Sequence, residues 1–353
     1  MNTANISSTR DTGSIMLPPL SETPRISIVI PVRNEELFME QCIRGLKGLD
    51  YPPDRFEVIF ADGRSTDRTA EIARLHGYRV VDNPGLKISA GRNEGFAASK
   101  GEIVVFTDAD CIFDPQWLRK AVGYFRSRPD VGGLSGPTPV PDDQNAFGKA
   151  VGIVFDLAGM AGGTVHRSSH DEAGIVDDLP GCNCFYRREA LLTVMPTNTS
   201  LFSNEDVEMN AALRRNGVKL LMTPDVSVCH YKRSSPKRFW KQMHTFAIGR
   251  LQLGRREPSF LKPSHWFIGA ALPVCFLAFV AAGFFVPAVW AAGLFALAAV
   301  AALIFLYYGF KFSFKISANL LLALALFLTA WPLGFLRELF HLVGICAPAK
   351  KHV

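Results

Sequence analysis

The sequence predicts an α/β domain followed by C-terminal transmembrane helices. Two observations predict this fold class. Short apolar strands alternate with helices in the first part of the chain, and residues 263–310 contain no Asp, Glu, Lys or Arg. A helix that spans a bilayer needs about 20 apolar residues, more than most buried helices of soluble domains. The 353 residues are enough for one large domain and an additional module.

Strands and helices alternate with short connections up to residue 106. Apolar, β-branched runs predict strands at residues 26–30, 56–60, 79–81 and 103–106. Helices are predicted between them at residues 36–49, 67–75 and 88–98. This alternation is typical of a parallel sheet with helices on both faces, in which ligands bind beyond the carboxyl ends of the strands.

Fewer elements are predicted in the next part of the chain. Residues 133–170 are rich in Gly and Pro, which indicates irregular loops with one helix near residues 147–158. A helix at 204–216, closed by Gly217, precedes strand-like runs at 219–222 and 226–229. Residues 236–252 predict a basic amphipathic helix with Trp240 beside its apolar face, which is typical of a membrane interface.

Three transmembrane spans are predicted, at residues 268–286, 288–310 and 316–336, with Pro287 in a tight turn. Lys311 and Lys315 indicate that the second loop is cytosolic, so the C-terminus is expected outside. Lys350 and Lys351 in the tail fit that side poorly, and the side of the tail stays open. We expect a multi-pass protein of a bacterial-type cytoplasmic (inner) membrane, with the α/β domain on the cytosolic side.

Charge and cysteine content narrow the class further. The net charge of +6 is concentrated in residues 232–262, where nine Lys or Arg stand against one acid. A basic segment directly before an apolar run predicts membrane lipid rather than nucleic acid as its partner. Seven scattered cysteines favour a reducing compartment, and Cys182 and Cys184 alone do not define a metal site. Residues 1–24 lack the apolar core of a signal peptide, and their composition predicts a disordered tail.

Two carboxylates, Asp108 and Asp110, follow the fourth predicted strand. Near a buried strand end they repel each other unless a cation lies between them. Their hard oxygen atoms suit Mg²⁺ or Mn²⁺, ions that commonly bridge to a diphosphate. The alternative is a solvated turn, in which Asp is common. His230 follows the last strand-like run and either completes the metal shell or is structural.

Three further side chains are candidates for a ligand crevice. Asp62 is suited to accept a hydrogen bond from a base or ribose, although it also fits a plain turn before a capped helix. Arg92 is suited to a phosphate or base, or belongs to a closely packed helix surface. Asp206 is a candidate general base, because an unperturbed Asp with a pKa near ~3.9 is ionised at neutral pH. Its spacing from Ser203 equally fits a helix-capping pair.

The order of these motifs resembles a known family. The segments are IVIPVRNE at 28–35, ADGRSTDRT at 61–69, RNEG at 92–95, DAD at 108–110 and ED at 205–206. Together they are similar to the inverting glycosyltransferases of family 2. The resemblance implies a GT-A fold, the Rossmann-like fold of nucleotide-diphospho-sugar transferases, at residues 25–232. An interface helix and linker would follow at 233–264, and a membrane anchor of about three transmembrane helices at 265–353.

The resemblance also implies roles for individual residues. The nucleotide-sugar would be bound by Pro31, Arg33, Glu35, Asp62, Arg92 and Asp108. Asp110 would hold Mn²⁺ or Mg²⁺ together with Asp108 and His230, and Asp206 would be the catalytic base. The acceptor side would be formed by Gly181, Asn183, Glu205, Arg238 and Trp240.

The resemblance implies an enzyme that transfers a sugar, from a UDP-sugar by preference, to a lipid-linked saccharide in envelope or exopolysaccharide synthesis of the succinoglycan type. Transfer to polyprenyl phosphate is an alternative. A non-catalytic membrane scaffold is an alternative of another class, and a channel is disfavoured because the span cores carry no charge. Residues 238–240 lack the Q-x-x-R-W pattern of processive members, which argues against a polymer synthase.

Overall fold

Four parallel strands form one half of the central sheet, as the sequence predicts. The computed structural model describes residues 15–160, 171–201 and 203–345. These strands are β1 (Ile26–Val32), β2 (Phe56–Asp62), β3 (Arg79–Asp82) and β4 (Ile103–Thr107). The helices between them are α1 (Glu36–Lys47), α2 (Thr69–Leu75) and α3 (Ile88–Ala98). Each predicted element is confirmed to within a few residues.

The other half of the sheet is mixed, which corrects the expectation of a parallel sheet. Its elements are β5 (Cys111–Phe113), α4 (Trp117–Ser127), β6 (Val131–Ser135), α5 (Ala146–Met160), β7 (Gly174–Val176), β8 (Asn183–Arg187), α6 (Arg188–Leu192), α7 (Glu205–Arg215), β9 (Lys219–Met222) and β10 (Val228–His230). The strand order is β3-β2-β1-β4-β8-β6-β9-β7, and β8 runs antiparallel to both neighbours. β10 pairs with β5 in a separate ribbon.

Apolar cores lie on both faces of the sheet, because alternate residues of a strand point to opposite faces. Ile28 and Ile30 of β1 pack in a cluster with residues of α1 and α4. Val29 of the same strand packs in a second cluster with residues of α3 and α7. The predicted arrangement, with helices on both faces, is therefore confirmed.

The N-terminal segment is ordered from residue 15, so the predicted disorder over residues 1–24 is wrong for residues 15–24. Leu17 and Leu20 pack against the two clusters. The Ser21 hydroxyl donates to Glu102 at 2.6 Å. Residues 1–14 lie outside the described residues, as do residues 161–170 of the predicted Gly-rich loops and the tail from residue 346.

Five α-helices follow in the described residues up to 345: α8 (Pro236–Arg256), α9 (Pro263–Trp266), α10 (Leu272–Phe285), α11 (Pro287–Lys311) and α12 (Phe314–Leu342). Three segments of the described chain are long and apolar enough to cross a membrane, at Pro263–Phe285, Pro287–Lys311 and Phe314–Leu342. Pro287 begins α11 rather than lying in the turn, since proline suits the first turn of a helix. α8 is amphipathic as predicted, with Phe239, Met243 and Leu251 on its buried side.

Candidate active site

The carboxyl ends of three strands meet at one edge of the sheet. Val29 of β1 is in register with Phe106 of β4, and Val32 is in register with Asp62 of β2. Asp62, the last residue of β2, and the loops that carry Glu35 and Asp108 therefore lie at the same edge. This is the ligand-binding edge expected for an open α/β sheet.

Asp108, Asp110 and His230 form a cluster whose ligand atoms all lie within 4.8 Å of one another. The pairing of β5 with β10 places His230 opposite Cys111, so that His230 Nε2 lies 3.3 Å from Asp110 Oδ1. Burial and the neighbouring charge of Asp110 raise the pKa of Asp108 to about 7. Burial opposes ionisation of Asp110 too, but His230 holds the pKa of Asp110 below its usual value. Two carboxylates and an imidazole fit Mn²⁺ or Mg²⁺.

A second group, formed by Cys111, Cys182 and His230, shares the same imidazole. Cys182 Sγ lies 3.5 Å from His230 Nδ1. Burial raises the pKa of Cys111 well above its usual value, which keeps this thiol protonated. A protonated thiol is a poor metal ligand, so the carboxylate group is the better candidate.

Asp206 lies in the first turn of α7, next to Gly181. A Cβ atom on Gly181 would lie 2.8 Å from Asp206 Oδ2 and 2.6 Å from Arg92 Nη2. The next residue, Cys182, contacts His230. The segment 181–182 therefore contacts both Asp206 and the metal-ligand cluster, and a side chain at its first position would have to displace Asp206 or Arg92.

The predicted capping pair of Ser203 and Asp206 is wrong. The residue before α7 is Asn204, which has a left-handed backbone with φ of 63° and makes no side-chain cap. The Ser203 hydroxyl instead donates to the Thr245 carbonyl of α8 at 3.1 Å, and the Asn204 amide donates to the Phe246 carbonyl at 3.3 Å. The loop that carries Asp206 is thus held by the backbone of α8.

Arg92 has a different position from the one predicted. Its side chain is buried, donates to the Gly181 carbonyl at 3.0 Å and pairs with Glu205 at 3.5 Å. The guanidinium also lies 5.6 Å from the centroid of the Phe106 ring. Arg92 therefore fixes Gly181 and Glu205 next to Asp206 and presents little surface to a phosphate or a base.

Asn183, which the resemblance assigns to the acceptor side, is held within the protein. It begins β8 and is fully buried. Its Oδ1 accepts a hydrogen bond from Trp117 Nε1 at 3.0 Å, and its Nδ2 donates to the Val226 carbonyl at 2.8 Å and the Gly136 carbonyl at 3.2 Å. All of the hydrogen-bonding groups of this side chain are occupied within the protein.

Replacement of Asn183 with Ala is expected to lower the free energy of unfolding by about 2–4 kcal/mol, because the Trp117 N–H and two buried carbonyls lose their partners. Thermal unfolding of the detergent-solubilised chain measures this loss. Asn198→Ala, at an exposed position, is the control. A change in substrate KM without a change in Tm would contradict the structural assignment.

Asp62 forms the predicted turn and still faces the edge of the sheet. It accepts hydrogen bonds from the Ser65 hydroxyl at 2.6 Å and the Ser65 N–H at 3.2 Å, and its side chain stays half-buried. Arg33 packs beside Gly63, at 3.4 Å from the position of a Cβ there. Pro31 lies against Gly91, the residue of α3 just before the RNEG segment, so this glycine serves close packing.

Glu35 lies close enough to the metal-ligand cluster to respond to its charge. Burial and the charge of Asp110 raise the pKa of Glu35 to about 7, whereas Arg233 and Arg238 oppose this rise. Arg238, in the first turn of α8, is exposed and close enough to act on Glu35. Trp240, half-buried on the same helix, stacks on His244 with ring centroids 5.1 Å apart. The start of α8 therefore lies at the rim of the crevice.

The sequence did not indicate that α8 supports Asp206. The residue that could have indicated this contact is Gly249, because a glycine in a helix interior lowers helix stability by about 1 kcal/mol and therefore suggests close packing. A Cβ atom on Gly249 would overlap the Ser203 hydroxyl and the Asn204 amide. The absence of a side chain lets α8 approach the loop of the candidate base.

Comparison with known proteins agrees with this geometry. Residues 27–194 match the model of glycosyl transferase family 2. The chain is 24% identical over 237 residues to the dolichyl N-acetyl-alpha-D-glucosaminyl phosphate 3-beta-D-2,3-diacetamido-2,3-dideoxy-beta-D-glucuronosyltransferase of Methanococcus voltae, a match that covers 64% of this chain and 72% of that protein. It is 28% identical over 239 residues to the beta-monoglucosyldiacylglycerol synthase of Synechocystis sp., covering 65% of this chain and 48% of that one.

The fold matches that of a solved mannosyltransferase from Pyrobaculum calidifontis, determined in complex with GDP-Man and Mn²⁺. The TM-score is 0.61 at 23% sequence identity, and the match covers 89% of this chain and 90% of that one. At this identity the likeness establishes the fold, and it extends past the sheet into the C-terminal helices.

Proposed function

We propose that this chain, a glycosyltransferase with a family 2 domain, moves a sugar from a nucleotide-sugar to a lipid-borne acceptor by a metal-assisted, inverting displacement. One observation carries the proposal. A metal-ligand cluster of Asp108, Asp110 and His230 lies at the ligand edge of the sheet, and Asp206 lies beside Gly181, whose neighbour Cys182 contacts His230. A donor diphosphate and an acceptor hydroxyl would meet between them.

The donor side consists of the metal-ligand cluster and the loops after β1 and β2. Asp110, with Asp108 and His230, would hold Mn²⁺ or Mg²⁺, which supplies positive charge for the leaving diphosphate when bound. Pro31, Arg33, Glu35 and Asp62 would line the nucleoside pocket. The Pyrobaculum mannosyltransferase was solved with GDP-Man and Mn²⁺, which supports a nucleotide-sugar with a divalent ion. We favour a UDP-sugar, as the sequence resemblance implies.

The chemical step is assigned to Asp206. Its carboxylate accepts the proton of the acceptor hydroxyl while the hydroxyl oxygen attacks the anomeric carbon and the bond to the diphosphate breaks. Attack from the face opposite the leaving group inverts the anomeric configuration. Arg92 and the α8 carbonyls hold the base in place, so little motion of the protein is required.

The acceptor is proposed to be lipid-borne. The basic helix α8 at the rim of the crevice and the apolar segments after it would bring the site to the membrane surface. The names of the Methanococcus and Synechocystis relatives specify a dolichyl phosphate and a diacylglycerol, which supports a lipid acceptor. Glu205, Arg238 and Trp240 would stand on this side. We place the catalytic domain at residues 25–232, on the cytosolic side of the cytoplasmic membrane.

Thermal-shift screening of the full chain in detergent tests the donor part of the proposal. A cognate nucleotide-sugar at about 100 Kd stabilises the folded state by about 2.7 kcal/mol. We expect a rise in Tm with a UDP-sugar and Mn²⁺ together, and a smaller rise with either alone. If GDP-sugars stabilise the protein and UDP-sugars do not, the uridine preference is wrong. If neither class stabilises the protein, the donor assignment is wrong.

Gly181→Ala is expected to lower kcat by about 10–100-fold with a smaller change in donor KM. The new methyl group would displace Arg92 or Asp206, and a misplacement of about 1 Å can cost about 10²-fold. Steady-state transfer kinetics measure the effect. Gly174→Ala is the matched control, since a Cβ there meets nothing within 4 Å. Equal kinetics for the two variants would show that the contact between Gly181 and Asp206 has no role in catalysis.

A further inference from the structure

We propose that α12, although long and apolar enough to cross a membrane, lies along the membrane surface with its outer face in lipid. Only the segments Pro263–Phe285 and Pro287–Lys311 would then cross the bilayer. The C-terminal tail would return to the side of the catalytic domain. This topology goes beyond the proposed transferase reaction and does not depend on it.

The first observation concerns the C-terminal half of α12. Phe335 of α12 packs against the beginning of the first apolar segment: its ring centroid lies 5.2 Å from that of Trp266, and a Cβ on Gly269 would lie 2.5 Å from the Phe335 ring. The second apolar segment, Pro287–Lys311, begins after a turn at Val286 and runs back beside the first. At this turn the rings of Phe284 and Trp290 pack with centroids 5.2 Å apart. The start of the first segment and the end of the second therefore belong to the same side of the membrane.

The N-terminal end of α12 lies at the end of the second apolar segment. The Ser317 hydroxyl donates to the Phe305 carbonyl at 2.7 Å, and the rings of Phe305 and Phe314 are 5.4 Å apart. From Phe314 to Phe335 an α-helix extends about 32 Å, roughly the thickness of the hydrocarbon core. If α12 crossed the bilayer, Phe335 would reach the surface opposite Trp266, which the contact between them excludes.

The second observation is that α12 runs beside α8 for most of its length. Gly334 of α12 packs against the His244 carbonyl of α8, and a Cβ atom on Gly334 would overlap with that carbonyl. Farther along, Gln252 Nε2 of α8 donates to Glu338 Oε1 of α12 at 3.2 Å. Nearer the start of both helices, Phe239 and Met243 share an apolar cluster with Leu320. The two helices therefore advance in the same direction, side by side.

A crossing α12 would therefore carry α8 and the catalytic loop into the hydrocarbon. α8 contains six basic residues: Lys237, Arg238, Lys241, Arg250, Arg255 and Arg256. Backbone carbonyls in the middle of α8 accept hydrogen bonds from the side chains of Ser203 and Asn204, which lie next to Asp206. Charged side chains and a polar crevice at the bilayer centre are costly, whereas a surface position leaves them in water.

The burial of α12 fits a helix with one face on protein and the other in lipid. The most apolar window of α12 is 39% buried, whereas that of the segment Pro287–Lys311 is 0% buried. Leu320, Ala323 and Phe335 belong to its buried side, while Leu322, Leu333 and Phe340 are exposed. Its outer face is apolar, like the exposed surfaces of the two crossing segments, so the bilayer is the occupant it fits.

The charges around α12 agree with a surface position. Lys311 and Lys315 flank its start, and Arg337, Lys350 and Lys351 lie near or beyond its end. If α12 lies in the plane of the membrane, all five belong to the cytosolic side, as the positive-inside rule requires. If α12 crossed, the last three would lie outside. The surface position of α12 therefore also explains why the tail carries Lys350 and Lys351, which fit an outer side poorly.

Cysteine labelling tests the side of the tail. Single accessible cysteines are introduced at Val353, at Val286 in the turn and at Lys219 of the catalytic domain. The full-length protein carries Cys229→Ser, Cys275→Ser and Cys346→Ser, which leaves only buried native cysteines. Sealed inverted and right-side-out vesicles are treated with a membrane-impermeant maleimide. We expect positions 353 and 219 to be labelled in the same vesicle orientation and position 286 in the other. Labelling of 353 together with 286 would overturn the proposal, as would release of the protein by alkaline carbonate.

Depth measurement tests the path of α12 itself. Spin labels are placed on Leu322, Leu328, Leu333 and Phe340, and a matched series is placed on Leu294, Leu297 and Leu303 of α11. Accessibility to oxygen and to a polar nickel reagent reports depth. We expect a uniformly shallow α12 series and an α11 series that changes steadily in depth. An α12 series with its deepest position at Leu328 would show that this helix crosses the membrane.

Discussion

Replacement of Asp206 with Asn is expected to lower kcat by about 10²–10⁴-fold, the range attributed to general acid–base catalysis. The amide is nearly isosteric with the carboxylate but cannot accept the acceptor proton. Arg92 and Glu205 keep their pairing, so the fold and donor binding should be retained. Transfer rates at saturating donor, together with the donor-dependent rise in Tm, measure the two effects separately.

Asp177→Asn is the matched control for this substitution. Asp177 pairs with Arg214 of α7 at 3.0 Å and is largely exposed, so its loss should leave kcat unchanged. A folded Asp206→Asn protein with the rate of the control would refute Asp206 as the base for a hydroxyl acceptor. It would favour polyprenyl phosphate as acceptor, since a phosphate is already ionised and needs no base.

Replacement of Asp110 with Ala is expected to reduce transfer by about 10³-fold and to weaken Mn²⁺ binding by at least about 10-fold. The carboxylate is the buried member of the pair and lies 3.3 Å from His230, so its loss leaves Asp108 and His230 as an incomplete ligand set. Calorimetric titration with Mn²⁺ and initial rates across a Mn²⁺ series measure both effects. Asp114→Ala, which removes an ion pair with Lys120 outside the cluster, is the control.

The stability of the metal-free protein distinguishes a ligand from a structural carboxylate. Burial and the repulsion between Asp108 and Asp110 raise the pKa of Asp108 to about 7. Removing one of them without a cation should therefore leave Tm unchanged or raise it. A lower Tm together with unchanged Mn²⁺ affinity would mean that Asp110 serves the fold, through its contact with His230, and does not hold the ion.

The first half of the sheet could be predicted from sequence because its strands carry strong local signals. β1 and β4 are β-branched runs bounded by turn residues. β6 and β8 could not be predicted, since β6 contains Gly132 and Gly133 and β8 follows a glycine-containing loop. Gly133 is needed because a side chain there would meet Leu220 and Tyr186, a long-range packing reason that leaves no local pattern.

The candidate site likewise contains residues that could be predicted from sequence and residues that could not. Asp108 and Asp110 could be identified because they directly follow a buried strand, and His230 because it ends another. Arg92 and Asn183 were assigned to ligands because sequence does not reveal burial, and both are held by protein atoms. The support of Asp206 by α8 could not be predicted either, because it joins residues about 40 positions apart through backbone carbonyls.

The anomeric configuration of the product tests the central claim most directly. The purified full-length chain is incubated with an α-linked nucleotide-sugar, Mn²⁺ and a polyprenyl-diphosphate-linked saccharide, and the glycolipid product is examined by NMR. The geometry of the metal-ligand cluster and Asp206 predicts a β-linked product that forms only when a divalent ion is present. An α-linked product, or equal transfer in the presence of EDTA, would contradict the account.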